Sequence, residues 1–229
     1  MKISVIIPTH NEEANIGKLI SFLLTHADQH LSEIFVVDAG SQDKTVDAAI
    51  EAGATVILSP EKGRAAQMNY GASKATGSIL YFVHADTLPP KTFTKDILNA
   101  ISNGYDFGRY KTRFSSRNPI LRINEWVTRF DLFICYGGDQ TLFFKKDLFH
   151  QLGGFRKDML IMEEYEFCKR AKQKGRYIVM NGAALISARK YEKNSWVRVQ
   201  WANYKVISMY KKGASQQSMV EQYKKMLKF

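Results

Sequence analysis

Cysteine is scarce in this chain. Its 229 residues include two, Cys135 and Cys168, far apart and without metal-binding spacing. That excludes a disulfide-stapled scaffold and leaves both as expected free thiols of a reducing compartment. Long apolar runs are missing as well. The longest, such as residues 79–83, reach about five residues, where a membrane-spanning helix needs ~20. The opening MKISVIIPTH is broken by Pro8 before it can supply the ~7–15-residue apolar region of a secretory signal. A cytoplasmic protein is expected, with the inner face of the membrane as the alternative location. With 45% hydrophobic and 24% charged residues, the composition excludes collagen-like, low-complexity and disordered classes. Neither G-x-G-x-x-G nor a P-loop follows the first β-like run, which argues against nicotinamide-dependent and ATP-hydrolysing chemistry.

Acidic residues are nearly absent from the last quarter. Residues 176–229 hold 11 basic residues against two acidic ones, Glu192 and Glu221, and so carry +9 of the formal net charge of +11. Such a segment suits an anionic partner: a phosphorylated substrate, an anionic membrane or a nucleic acid. A solvated, lysine-rich helix face accounts for the charge equally well. Within it, Trp196, Trp201, Tyr204 and Tyr210 interleave with Arg198, Lys205, Lys211 and Lys212, a pattern compatible with peripheral membrane binding or with a core helix packed on a sheet.

The first half alternates strand-like and helix-like runs. Residues 3–7, 34–37, 55–58 and 79–83 read as strands. Between them, residues 12–25 place Ile16, Leu19, Ile20, Leu23 and Leu24 near a 3.6 period. A second helix follows a cap at Ser41 or Asp43 and ends at Gly53, and a third covers residues 65–74. This rhythm predicts an α/β fold with a Rossmann-like, mostly parallel sheet flanked by helices. The second half is more mixed: a strand at 106–114, a helix at 119–133 capped by Asn118, a strand at 141–144, a helix at 163–174, strands at 177–180 and 184–187, then helices at 195–211 and 215–227. No repeat or linker interrupts the chain, so one domain is expected.

Open α/β sheets bind ligands at the carboxyl ends of their strands. Here those ends supply Pro8, Thr9, His10, Asn11 and Glu12; then Asp38 to Ser41; then Lys62, Gly63 and Arg64; then His84, Ala85, Asp86 and Thr87. Lys62 and Arg64 precede a predicted helix, where a cation opposes the macrodipole by roughly 0.3–1 kcal/mol unless an anion such as a diphosphate sits beside it. Several of these residues also have ordinary structural explanations. Asp38 can accept the N–H groups of its turn, Thr9 to Glu12 and Asp86 can start helices, and Glu163 and Glu164 suit a first helical turn.

The blocks SVIIPTHNEE, VVDAGSQDKT, KGRAAQMNYGASKATG and YFVHADT, continued by GGDQTLFFKK, LGGF, MEEYEFCKR and SARKYE, resemble in this order the family 2 glycosyltransferases. The KGRAAQMNYGA and HADT variants further resemble a small bacterial subgroup labelled as arsenosugar-biosynthesis glycosyltransferases. The resemblance implies a GT-A fold: a nucleotide-sugar-binding half (1–88), a mixed acceptor half (89–194) and basic, aromatic C-terminal helices (195–229). It implies an inverting, metal-dependent transfer of a sugar from a nucleotide diphosphate, UDP by default, to a hydroxyl acceptor that could be lipid-linked. Asp38 would accept from the uracil N–H, and Pro8, Thr9, Asn11 and Glu12 would line base and ribose. The family arginine three residues before the helix glycine is Met68 here, and Arg64, with Lys62, is expected to replace it beside the diphosphate. Asp86 matches the last acid of the family's D-x-D motif and would hold Mn²⁺ or Mg²⁺, a hard cation suited to oxygen ligands. His84 stands at the first acid's place as a candidate second ligand. Glu164 falls on the base position of an acidic pair usually Glu-Asp, with Glu163 as the alternative. Asp139, Gln140 and Arg189 would meet the sugar, acceptor or diphosphate. Two rival readings are a degenerate transferase that binds nucleotide sugar without chemistry, and a basic nucleic-acid-binding module, although no nucleic-acid motif is present and no such partner is expected.

Overall fold

The computed structural model describes residues 1–137 and 140–228. β1 (Ile3–Thr9), α1 (Glu13–His26), β2 (Leu31–Asp38), α2 (Thr45–Glu51), β3 (Thr55–Leu58), α3 (Arg64–Lys74) and β4 (Ile79–Phe82) follow the predicted alternation. β1 is buried along its whole length. Its alternate side chains explain the layering. Ile3, Val5 and Ile7 pack with Ile16, Leu19, Ile20 and Leu23 of α1, while Ile6 packs with Met68 and Ala72 of α3 on the opposite face. Gly71 lets α3 lie close to the sheet, since a Cβ there would stand 2.6 Å from Ile6 Cγ2 and 2.9 Å from Val37 Cγ2.

β5 (Thr87–Leu88), α4 (Phe93–Ser102), β6 (Phe107–Phe114), α5 (Leu121–Val127), β7 (Leu142–Lys145), α6 (Lys146–Gln151), α7 (Glu163–Ala171), β8 (Tyr177–Ile186), α8 (Arg189–Lys193), α9 (Trp196–Lys211) and α10 (Gln216–Met226) complete the chain. The sheet has eight strands in the order β3-β2-β1-β4-β7-β6-β8-β5. The β3-β2-β1-β4 half is parallel, as expected. Beyond it the sheet is mixed: β7 is antiparallel to both β4 and β6, β6 and β8 are parallel, and β5 is antiparallel to β8.

The differences from the expectations have local causes. The helix expected over 119–133 is cut to α5, followed by a 3₁₀ turn at Phe133–Cys135. The fully buried Arg109 guanidinium collects the carbonyls of Thr128 (2.8 Å) and Phe130 (2.9 Å), drawing them out of a helical ladder. The two short strands expected after 176 are one strand, β8, whose register against β6 shifts between Arg109 and Lys111, opposite Gly182. α9 and α10 begin at Ser195 and Ser215, whose side chains accept from the N–H groups of Arg198 and Ser218. Their buried faces meet each other and Met159 and Met162, and Trp196 at the start of α9 packs by the sheet residues Phe114 and Ile186. Both cysteines are free and buried, and burial pushes both thiols up, so neither is poised as a nucleophile. Among the described residues no helix is long and apolar enough to cross a membrane.

Candidate active site

The strand order places β1 between β2 and β4, so the chain runs outward to β3 and then returns to the other side of β1. That reversal opens a crevice at the strand ends, where α/β folds take their ligands. The first wall is made by two stitched loops. Asp38, 1% exposed at the end of β2, accepts from Thr9 Oγ1 (3.2 Å), Ser41 Oγ (2.5 Å) and the N–H groups of Gly40 and Ser41 (both 2.8 Å). Asn11, in the left-handed region at φ 55°, accepts from the Gln42 N–H at 2.9 Å and donates its own N–H to Ser41 Oγ at 2.9 Å. The Glu12 N–H donates to Thr45 Oγ1 at 2.7 Å. Asp38 thus does what a turn-forming aspartate does, with donors on both oxygens. It can turn to a base N–H only by exchanging one of them.

Sequence reasoning missed Gln67. It is 4% exposed, and its Nε2 donates to the carbonyls of Thr9 (2.8 Å) and Val37 (2.7 Å). One amide therefore ties the ends of β1 and β2 together beneath Thr9 and Asp38. The available signal was a polar side chain set among Ala65, Met68 and Ala72 on the buried stripe of α3.

The opposite wall comes from α7. Met162 precedes it in the left-handed conformation at φ 70°, unusual for a non-glycine residue, and Phe167 anchors it on the sheet against Phe144 and Phe155, with ring centroids 4.9 and 4.8 Å apart. Glu163 and Glu164 open the helix, where the macrodipole favours acids. They face different partners. Glu164 Oε1 lies 2.9 Å from His84 Nε2, the carboxylate being 3% exposed. Glu163 Oε1 lies 2.9 Å from Arg64 Nε. The N–H is not aimed along that contact, and both Glu163 oxygens lack a directed hydrogen bond among the described residues. A buried carboxylate so poorly served is costly without a further partner.

Asp86 and Glu12 share a cation. Arg189, just after β8, places Nη2 2.7 Å from Glu12 Oε1 and 3.3 Å from Asp86 Oδ2. Of the two expected metal ligands, Asp86 thus faces Arg189 and His84 turns its Nε2 to Glu164. Among the described residues no group of three His, Cys, Asp or Glu side chains could hold a metal by itself. One carboxylate, Asp86, still suits a cation of the Mg²⁺ or Mn²⁺ kind, which retains waters and substrate phosphates and needs only one or two protein carboxylates.

The remaining expectations fall around this rim. Pro8 is buried within β1, and Lys62 is exposed in the loop before α3. Gln140 is buried, with Oε1 lacking a partner among the described residues; it stands two residues before Leu142, which pairs with Phe82, and so lies at the end of β4 near His84. Asp139 lies outside the described residues. Gly137 adjoins α7 closely, since a Cβ there would collide with the Tyr165 ring and stand 3.2 Å from Glu164 Oε2. The strand-end region thus brings together two arginines, Arg64 and Arg189, and four carboxylates, Glu12, Asp86, Glu163 and Glu164.

This is a GT-A-type α/β fold with its polar cluster at the strand ends. Residues 4–160 match the family model described as Glycosyl transferase family 2, and the chain belongs to that family. It is 36% identical over 112 residues to a dolichol-phosphate mannosyltransferase of Pyrococcus furiosus, covering 46% of this chain and 32% of that protein. It is 35% identical over 98 residues to a glucosyl-3-phosphoglycerate synthase of Mycolicibacterium paratuberculosis, covering 38% and 29%. The chain therefore spans about a third of the length of these relatives. A mannosyltransferase of Pyrobaculum calidifontis, solved in complex with GDP-Man and Mn²⁺, superposes with a TM-score of 0.71 at 22% identity, covering 90% of this chain and 62% of that one.

Proposed function

We propose that this chain is an inverting, divalent-metal-dependent glycosyltransferase that moves a sugar from a nucleotide diphosphate, UDP in the first instance, to an acceptor hydroxyl. The observation that carries the reading is the division of labour between the two glutamates: Glu163 beside the cation Arg64, Glu164 beside His84 and the glycine loop at Gly137. Thr9, Asn11 and Glu12 line the nucleoside side, on a loop that Asp38 and Gln67 hold in shape. Arg64, Lys62 and Arg189 receive the diphosphate, stabilising charge as it develops on the leaving group. A divalent cation held by Asp86 supplies Lewis-acid neutralisation of that diphosphate when bound, as the Mn²⁺ in the complex from Pyrobaculum calidifontis suggests. Glu164 takes the proton from the acceptor hydroxyl, and His84 orients it as its hydrogen-bond partner. Gln140 and Asp139 border the transferred sugar. The acceptor is read as a lipid-linked hydroxyl compound met at an anionic membrane surface, and the arsenosugar-type subgroup is the finer family placement.

Calorimetric titration of UDP, GDP and dTDP, each with and without Mn²⁺, tests the donor side. Metal-dependent binding of one nucleotide, lost in Asp86→Ala, is expected; no binding to any of them refutes the reading. Glu164→Gln should lower transfer by about 10²–10⁴-fold, the usual worth of a general base, and leave nucleotide affinity within twofold. The degenerate-transferase reading, which rests on His84 standing where the family motif has its first acid, predicts nucleotide binding and no transfer in the wild type as well.

A further inference from the structure

The largest run of exposed apolar side chains near the site is not on the basic C-terminal helices. Ile123 (53% exposed), Trp126 (54%), Phe130 (40%), Leu132 (45%) and Ile134 (53%) fall within twelve residues, on α5 and the turn after it. Scattered exposed apolar residues are ordinary, but five within twelve positions, two of them aromatic rings in contact, make a candidate contact surface. Trp126 and Phe130 stack edge-on at 4.7 Å, and the Arg129 guanidinium lies 5.8 Å from the Trp126 ring.

The charge around this group is mostly positive. Glu125 is half-buried and accepts from the Phe114 N–H at 2.8 Å, while the exposed Asp131 accepts from Tyr136 at 2.6 Å and is neutralised by its ion pair with Lys172. Arg117, Arg122 and Arg129 are exposed. An apolar, aromatic patch rimmed by three arginines, its one exposed acid already paired with a lysine, complements an anionic bilayer, where aromatic rings sit at the headgroup level and each nearby arginine contributes about 1 kcal/mol, a factor of about five.

The same segment leads to the site. Tyr165 Oη donates to the Ile134 carbonyl at 3.4 Å, and Gly137, three residues on, abuts Glu164. By contrast, the aromatic set of α9 is divided. Trp196 donates to Asn124 Oδ1 at 3.0 Å and Tyr210 stacks on Phe133 at 6.1 Å, both toward the protein, leaving Trp201 and Tyr204 outside.

We propose that residues 121–134 are the surface that seats this chain on an anionic bilayer and brings the acceptor side of the site to hydroxyl groups at the membrane interface. The orientation rests on Glu164 as the acceptor-side residue; the bilayer contact does not, so the two fail separately.

The test is flotation with vesicles of phosphatidylcholine alone or with 30% phosphatidylglycerol, with nucleotide titration of every variant in parallel. The wild type should float with the anionic vesicles and not with the neutral ones. Trp126→Asp should weaken the partition at least about tenfold, and Arg122→Glu with Arg129→Glu at least as much, while nucleotide affinity stays unchanged. The milder Ile123→Ser with Leu132→Ser should give the same loss if Trp126→Asp fails to fold. No flotation of the wild type overturns the proposal. So does flotation that survives these changes; if it then disappears in Trp201→Asp, the contact moves to α9. A solution dimer dispersed by Trp126→Asp also overturns it, by making the patch a contact between copies. Flotation that behaves as expected across the variants, with no nucleotide binding by any of them, would overturn the transferase reading alone.

Discussion

Replacing Gln67 by methionine keeps the length and volume of the side chain and deletes two N–H donors. In the wild type these donors meet the carbonyls of Thr9 at 2.8 Å and Val37 at 2.7 Å, inside a helix-sheet contact where Gln67 is 4% exposed. The Thr9 carbonyl keeps a second donor, the Ala39 N–H at 3.1 Å, so the loss is not of every bond it makes. At ~1 kcal/mol for each buried hydrogen bond, the expected cost is about 2 kcal/mol. In a chain of this size each kcal/mol lowers Tm by ~2–4 °C, so the fall should be about 4–8 °C. Thermal unfolding followed by circular dichroism reads it. The perturbation also releases the two strand ends that carry Thr9 and Asp38, so the nucleotide Kd should rise severalfold in the same variant. Gln67→Glu sharpens the test: a carboxylate facing two carbonyls should cost more at neutral pH and recover in part on acidification, when it regains a proton to donate. A Tm within 1 °C of wild type together with an unchanged nucleotide Kd in Gln67→Met would refute the idea that this amide holds the crevice together.

The remaining expectations touch other parts of the molecule. Burial opposes ionisation of Glu33, but hydrogen bonds from Ser4, Thr76 and Ser32 overcome it and hold its carboxyl below the usual carboxylate range. A depressed folded value stabilises above the unfolded pKa and is lost as pH falls through the folded one. The Tm gap between wild type and Glu33→Gln should therefore be widest near neutral pH and close on acidification; a gap independent of pH would contradict this. Gly137→Ala should displace Tyr165 and Glu164 and lower transfer by roughly 10²-fold, the cost of about 1 Å of misplacement, with nucleotide binding preserved in the same titration. Arg189→Ala removes the cation shared by Glu12 and Asp86. Mn²⁺ alone, followed by electron paramagnetic resonance, should then bind about fivefold more tightly and the nucleotide diphosphate about fivefold more weakly, the scale of a part-exposed ion pair of ~1 kcal/mol. Parallel changes of both in one direction would rule out a cation shared with the metal position.

The parallel half of the sheet was legible because its signals are local. β1 to β4 are short apolar runs, and the residues at their ends are those a strand-end site needs. α4 was legible too, through Phe93, Ile97, Ala100 and Ile101 at helical spacing, but it went unread behind Pro89 and Pro90. The shortened α5 was not legible, because the residue that curtails it, Arg109, lies on another element. The site divides in the same way. Its strand-end candidates follow from their positions and the others from the family resemblance, whereas their partners follow from neither. That Glu163 faces Arg64, that Glu164 faces His84 rather than leaving that ring to Asp86, and that Arg189 reaches Glu12 are contacts between residues 80 to 177 positions apart. Nothing in a local pattern of residue types encodes them.

The polar cluster is completed by residues that lie beyond the segment matched by the family model. That segment ends at residue 160, before Glu163 and Glu164 and well before Arg189. Each ion pair of the cluster has one partner inside 4–160 and one beyond it: Arg64 with Glu163, His84 with Glu164, and Glu12 and Asp86 with Arg189. A chain cut at residue 160 would keep the parallel strands and their end loops and leave every one of these pairs half-made.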